Sequence, residues 1–237
     1  MESLSIAQQF VMAALDNLRR NGRMKVPGTI PQEMVDLNGD SEGGWKTWQP
    51  VPSTVLDAEL DELESAFGIR YPELYRDFLK TQHFFDLTED AVRFEKHLPG
   101  MWRSRLESLY RSSWYPERII EIGLIPFGAE CLMDAGPVCF DTRAMVEGDC
   151  PIVFWDHELV ETDREVRPMF SSVDRMFRCL KFAAEQDDFG LVYYDEDGEE
   201  RLARQRALLA EFLALDSDGA GSLPAMDYWT SFGVSLD

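Results

Sequence analysis

The chain has 237 residues, with 44 acidic side chains against 23 basic ones and a formal net charge of -21. That balance excludes nucleic acid and anionic membrane as ligands, because both are held through Lys and Arg. It leaves two readings open: acidity that serves solubility, or a basic protein partner steered in by long-range attraction.

No apolar run approaches the roughly 18 residues of a membrane span. The start, MESLSIAQQFVMAALDNLRR, reads as an amphipathic helix and not as a signal peptide. Ser5 caps it with Gln8 three residues on, and Ile6, Phe10, Val11, Ala14, Leu15 and Leu18 make one apolar face. Asn21-Gly22 ends it, and the Gly- and Pro-rich segment to Gly44 reads as an irregular linker. Trp45 and Trp48 open the main domain. A helix is expected over Ser53–Phe67, with Leu56, Leu60, Leu63 and Phe67 inward. Asp57, Glu59, Asp61, Glu62 and Glu64 fill its other face, and Gly68 stops it. A second helix follows Pro72 and turns Leu74, Tyr75, Phe78 and Leu79 inward. Over 84–121 the pattern suggests a strand at Ala91–Phe94 and a helix at Trp102–Tyr110. Arg93, Arg103, Arg105, Arg111 and Arg118 form a basic island there, either a counter-charge to the acidic helices or a binding patch.

The stretch from Ile122 to Glu158 holds three short apolar runs, Leu124–Phe127, Pro137–Phe140 and Pro151–Trp155, separated by Gly, Asp and Glu. Their length and punctuation predict buried antiparallel strands. The order IPFG, GPVCFD and CPIVFWDHE, at this spacing, resembles the central sheet of the SMI1/KNR4 (SUKH) family. The two helices before it resemble the family's opening, with two departures. Tyr71-Pro72 stands where Leu-Pro is usual, and Gln82-His83 replaces an Asn-Gly turn. The helix at Ser171–Glu185, with Val173, Met176, Phe177, Leu180 and Ala184 on one side, is similar to the family's closing helix. The resemblance covers residues 48–182 and identifies a divergent, bacterial-type member.

Residues 185–200 are strongly acidic, a last helix is expected over Glu199–Leu215, and the tail carries Tyr228, Trp229 and Phe232. The terminal helices pack either within the chain or across a dimer. The organisation expected is residues 1–44 as N-terminal helix and linker, 45–185 as the SMI1/KNR4-like domain, and 186–237 as C-terminal extension. The fold class is α+β, an antiparallel sheet of about four to six strands covered by helices.

Little in the chain suggests reaction chemistry. Asp156-His157-Glu158 places a His between carboxylates, but adjacent strand residues face opposite sides and cannot orient the imidazole. His83, His97 and His157 lie far apart, and Cys131, Cys139, Cys150 and Cys179 lack zinc spacing, so core thiols of a cytoplasmic protein are expected. Asp216, Asp218 and Gly219 resemble the start of a calcium loop, but Ala220 and Asp227 occupy ligand positions, favouring a turn. No cofactor or metal is expected. What remains is surface: Glu130, Asp134, Asp141, Asp149, Asp156 and Glu158 at strand ends or turns, with Trp155 as an aromatic anchor, as a rim for a basic partner. A solvated rim and a core Trp155 are the competing reading.

The family resemblance implies a non-enzymatic binding protein. Its bacterial members serve widely as immunity proteins that bind and neutralise a toxin domain, often a nuclease, and the acidity of this chain suits a basic one. The alternatives are a regulatory or scaffold module of the fungal type, and an enzyme or small-ligand protein using the Trp155–His157 region.

Overall fold

A computed structural model of the protein describes residues 3–39, 43–89, 91–112, 115–131, 136–159, 165–186, 198–219 and 228–229. Helix α1 (Ile6–Arg20) starts as its sequence dictates. Ser5 Oγ accepts from the Gln8 N–H at 3.4 Å, and Gln8 Oε1 accepts from the Ser5 N–H at 2.9 Å. Its apolar face enters the main core. The Phe10 ring lies 5.5 Å from Phe177, 5.7 Å from Phe94 and 6.3 Å from Phe78.

The expected linker differs. Strands β1 (Lys25–Pro27) and β2 (Trp45–Thr47) pair antiparallel, with Lys25 opposite Thr47. Three-residue strands are too short to show alternation, which is why composition alone read as loop. Trp48, just beyond, is fully buried. Two further short strands, β3 (Val51–Pro52) and β4 (Gln82–His83), pair across the next two helices.

Helix α2 (Asp57–Phe67) begins a turn later than expected. Ser53 instead donates its hydroxyl to the Leu79 carbonyl at 2.7 Å, and the Leu56 N–H donates to Glu59 Oε2 at 2.9 Å. Leu56 therefore occupies the N-cap, 63% exposed and not inward. Leucine offers no side-chain acceptor to the first turn. Leu56→Ser is accordingly expected to raise stability by about 0.5–1.5 kcal/mol, read as a higher urea midpoint with unchanged slope. Gly68 terminates the helix at φ +64°, its N–H bonded to the Glu64 carbonyl. Helix α3 (Glu73–Leu79) follows Pro72.

Strands β5 (Thr88–Glu89) and β6 (Val92–Phe94) lead to helix α4 (Trp102–Tyr110) and a π-helical turn, Pro116–Ile120. The central runs form β7 (Leu124–Glu130), β8 (Pro137–Asp141) and β9 (Ile152–Trp155), joined by β10 (Val166–Phe170). Among the described residues the sheet has six strands in the order β10-β9-β8-β7-β6-β5, each antiparallel to its neighbour. Gly128 is needed in the IPFG segment because a Cβ there would stand 2.5 Å from the Arg93 carbonyl oxygen on β6.

Alternation sorts the sheet's faces. Val138, Phe140, Ile152 and Phe154 join the main core with α1, α3 and α5 (Val173–Glu185), while Leu124, Cys139, Val153 and Trp155 form a second cluster with Ile119 of the π-helical turn. The last helix, α6 (Gly198–Leu215), brings Leu208, Leu209 and Phe212 into the main core, which Tyr228 and Trp229 complete. In the described residues, α1, α6 and the Tyr228–Trp229 pair thus contribute to one core with the central domain. Among the described residues no helix is long and apolar enough to cross a membrane.

Candidate protein-binding surface

Antiparallel order divides the rim carboxylates between two ends of the sheet. Asp141 and Asp149 lie at one end, where the Asp141 N–H donates to the Pro151 carbonyl. Glu130, Asp156 and Glu158 lie at the other, where the Glu130 N–H donates to Gly136 and that of Asp156 to Glu165. Asp134 falls outside the described residues.

Most of these groups are engaged inside the fold. Asp149 Oδ1 accepts from the Val173 N–H at 2.7 Å, and Oδ2 takes a longer bond of 3.5 Å from Asp174, so this carboxylate caps α5. Asp141 grips Arg143 through both oxygens at 2.7 and 2.8 Å. Glu130 is fully buried and accepts the Tyr228 hydroxyl at 2.9 Å. Asp156 is 5% exposed, accepts from the Glu158 N–H at 3.0 Å and stands 3.7 Å from Arg167. Trp155 is 1% exposed, within the second cluster. Glu158 alone of the described set is exposed. His157, also exposed, sits with it on a 3-10 turn beyond β9.

The larger concentration of exposed acid is the outer face of α2. The Asp57, Asp61 and Glu62 side chains are 63%, 67% and 66% exposed. Arg76 of α3 lies beneath them, bonded to Asp61 at 2.8 Å, Asp57 at 3.2 Å and Glu64 at 2.8 Å. Lys80 reaches Asp57 at 2.9 Å, and Lys80 first, with Arg76, holds that carboxyl below the usual carboxylate range. Arg103 bonds Glu62 at 2.8 Å and Glu107 at 3.0 Å, so this part of the basic island acts as counter-charge. An open cleft of about 510 Å³ runs alongside, lined by Asp61, Glu64, Arg70, Tyr71, Glu73 and Arg76. The sequence marks this helix face as acidic; that it outweighs the rim emerges only once the rim groups are seen to turn inward.

Among the described residues no three His, Cys, Asp or Glu groups gather as a metal site. Asp216, weighed in the sequence as a calcium ligand, accepts from the Ser171 hydroxyl, the Ser171 N–H at 2.9 Å and the Gly219 N–H at 3.1 Å.

Fold and surface define an α+β protein with a charged exterior face beside an open cleft. The chain belongs to the SMI1 / KNR4 family (SUKH-1), whose family model matches residues 54–179. The family is known for immunity proteins against toxins and is generally non-enzymatic. Among curated proteins the chain has no match. Residues 54–179 span α2 through most of α5, so α1, α6 and the Tyr228–Trp229 segment are additions that share the family domain's core.

Proposed function

We propose that this is a non-enzymatic immunity protein that binds a basic toxin domain and blocks it. The observation that carries the reading is the exposed acidic face of α2, in a chain of net charge -21 whose family includes toxin-neutralising members. Asp57, Asp61 and Glu62 each keep a salt bridge on one side and open solvent on the other. A partner's Lys or Arg side chains can add to these pairs without stripping the internal ones. Glu158 is the rim residue best exposed to extend the contact. Nuclease domains fit the charge, because an acidic face can occupy a surface built for phosphates.

The test is capture of a tagged chain from its native host, eluted by a salt gradient, followed by an activity assay of the partner with and without the chain. A stoichiometric basic partner that is inhibited on binding is the expected result. Reversing two charges, Asp61→Lys with Glu62→Lys, is expected to weaken that complex at least about tenfold, mainly through slower association. The loss should shrink at high salt. The fold should survive, since exposed ion pairs contribute only about 0–1 kcal/mol each. An unchanged affinity would move the contact away from α2.

A further inference from the structure

His83, at the end of β4, and His97, before α4, meet in the core with 0% and 3% exposure. Their Nδ1 atoms are 3.1 Å apart. The Thr54 N–H, on the approach to α2, donates to His83 Nε2 at 3.1 Å, and the Thr54 hydroxyl lies at 3.1 Å from the same nitrogen, where it can donate as well. A nitrogen that accepts carries no proton, so neutral His83 holds its proton on Nδ1 and directs it at His97. His97 must then accept at Nδ1 and carry its own proton on Nε2. That Nε2 is buried and has no hydrogen-bond partner among the described residues. The Gln82 carbonyl oxygen, 3.1 Å from His97 Nδ1, meanwhile faces a lone pair. The other neutral tautomer of His97 would satisfy Gln82 but set two N–H groups against each other. No neutral arrangement satisfies every group, which makes the network sensitive to one added proton.

The surroundings give an incoming charge little support. Phe84 and Trp102 flank His97, with ring centroids at 5.5 and 6.0 Å, and Val51 of β3 lies opposite His83. The charged group acting on the pair is Glu33, on the turn Gln32–Met34, toward His83. Among the described residues no further His, Cys, Asp or Glu joins the pair to make a metal site.

We propose that the His83–His97 pair is an acid-operated latch, in which protonation breaks the Thr54–His83–His97 chain and releases the β3–β4 pair and the lead into α2 from the segment around His97. The device does not depend on what the protein binds. Burial holds His83 below its ordinary range, and burial, helped by the neighbouring His83, pushes His97 down to about 3. The unfolded chain binds these protons near pH 6.5. The stabilisation is therefore complete above pH 6.5 and is lost progressively as pH falls from there toward 3. The proton of His97 alone disfavours the closed state about 30-fold at pH 5 relative to pH 7.5.

Amide hydrogen exchange by NMR on the full chain tests this. After correction for intrinsic rates, protection of the Thr54 and His97 amides should fall at least about 30-fold between pH 7.5 and 5. In His97→Phe the same amides should lose clearly less protection than in the parent chain, because only His83 is left to take up a proton. Equal pH responses in the two proteins would overturn the latch. Should the variant fail to fold, nitrogen shifts of the native imidazoles decide: His83 protonated on Nδ1 and both rings neutral at pH 6 support it, and a charged ring at pH 6 overturns it.

Discussion

Phe10→Ala is expected to cost about 3–5 kcal/mol of unfolding free energy, the range for truncating a buried aromatic in a packed core. The residue lies outside the family-matched segment and on the first helix, where a dispensable extension would tolerate the change. Its ring is nevertheless fully buried among Phe78, Phe94 and Phe177, drawn from α3, β6 and α5. Truncation removes contacts with all three elements at once, and the surrounding helices cannot close the space without shifting α1. Asn17 adds a polar tie, its side-chain amide donating to the Ala184 and Gln186 carbonyls at 2.8 and 3.0 Å at the end of α5. Urea denaturation of the full chain checks the prediction. A loss under about 1 kcal/mol would mean that α1 can leave without disturbing the core.

Asp149→Ala is expected to cost about 2–3 kcal/mol. The carboxylate joins the loop after β8 to the first turn of α5, where unpaired N–H groups and the positive end of the helix dipole both favour an anion. Ser172 also caps this helix, accepting from the Arg175 N–H at 3.1 Å, so one donor remains satisfied when Asp149 is removed. The Val173 N–H does not, and a buried orphan donor costs about 1–3 kcal/mol. Asp149→Asn keeps an acceptor but loses the charge and should recover roughly half of the loss. Equal destabilisation by Ala and Asn would assign the effect to charge alone. Thermal and urea midpoints of the three proteins separate these cases.

Much of the architecture can be read before folding. The capping box at Ser5, the glycine after Phe67 and the helical spacing of Trp102–Tyr110 are local signals, and each element forms where its own residues ask for it. The three central strands are legible because their apolar runs are short and bounded by turn residues. β10 was not, since Arg167 and Pro168 interrupt any apolar pattern and its pairing with β9 is tertiary. The rim was the harder case. Strand-end carboxylates look alike in sequence, but the partners that consume them are remote: Asp149 meets Val173, and Glu130 meets Tyr228 almost a hundred residues later. Only placement could divide the internal acids from the exposed face of α2. One clue to the histidine pair was visible, in Gln82-His83 standing where the family's turn is usual, but its mate His97 carries no local mark.

The sheet ends on one side in β5, two residues long, and on the other in β10, whose Pro168 has no N–H to offer a further strand. Among the described residues neither border presents a long, flat row of backbone donors and acceptors of the kind on which another chain templates itself. Short or proline-interrupted borders of this kind disfavour edge-to-edge aggregation. Under the proposed function, partner choice would then rest with side chains on the helical face, where charge and shape discriminate, and not with backbone pairing, which accepts almost any sequence.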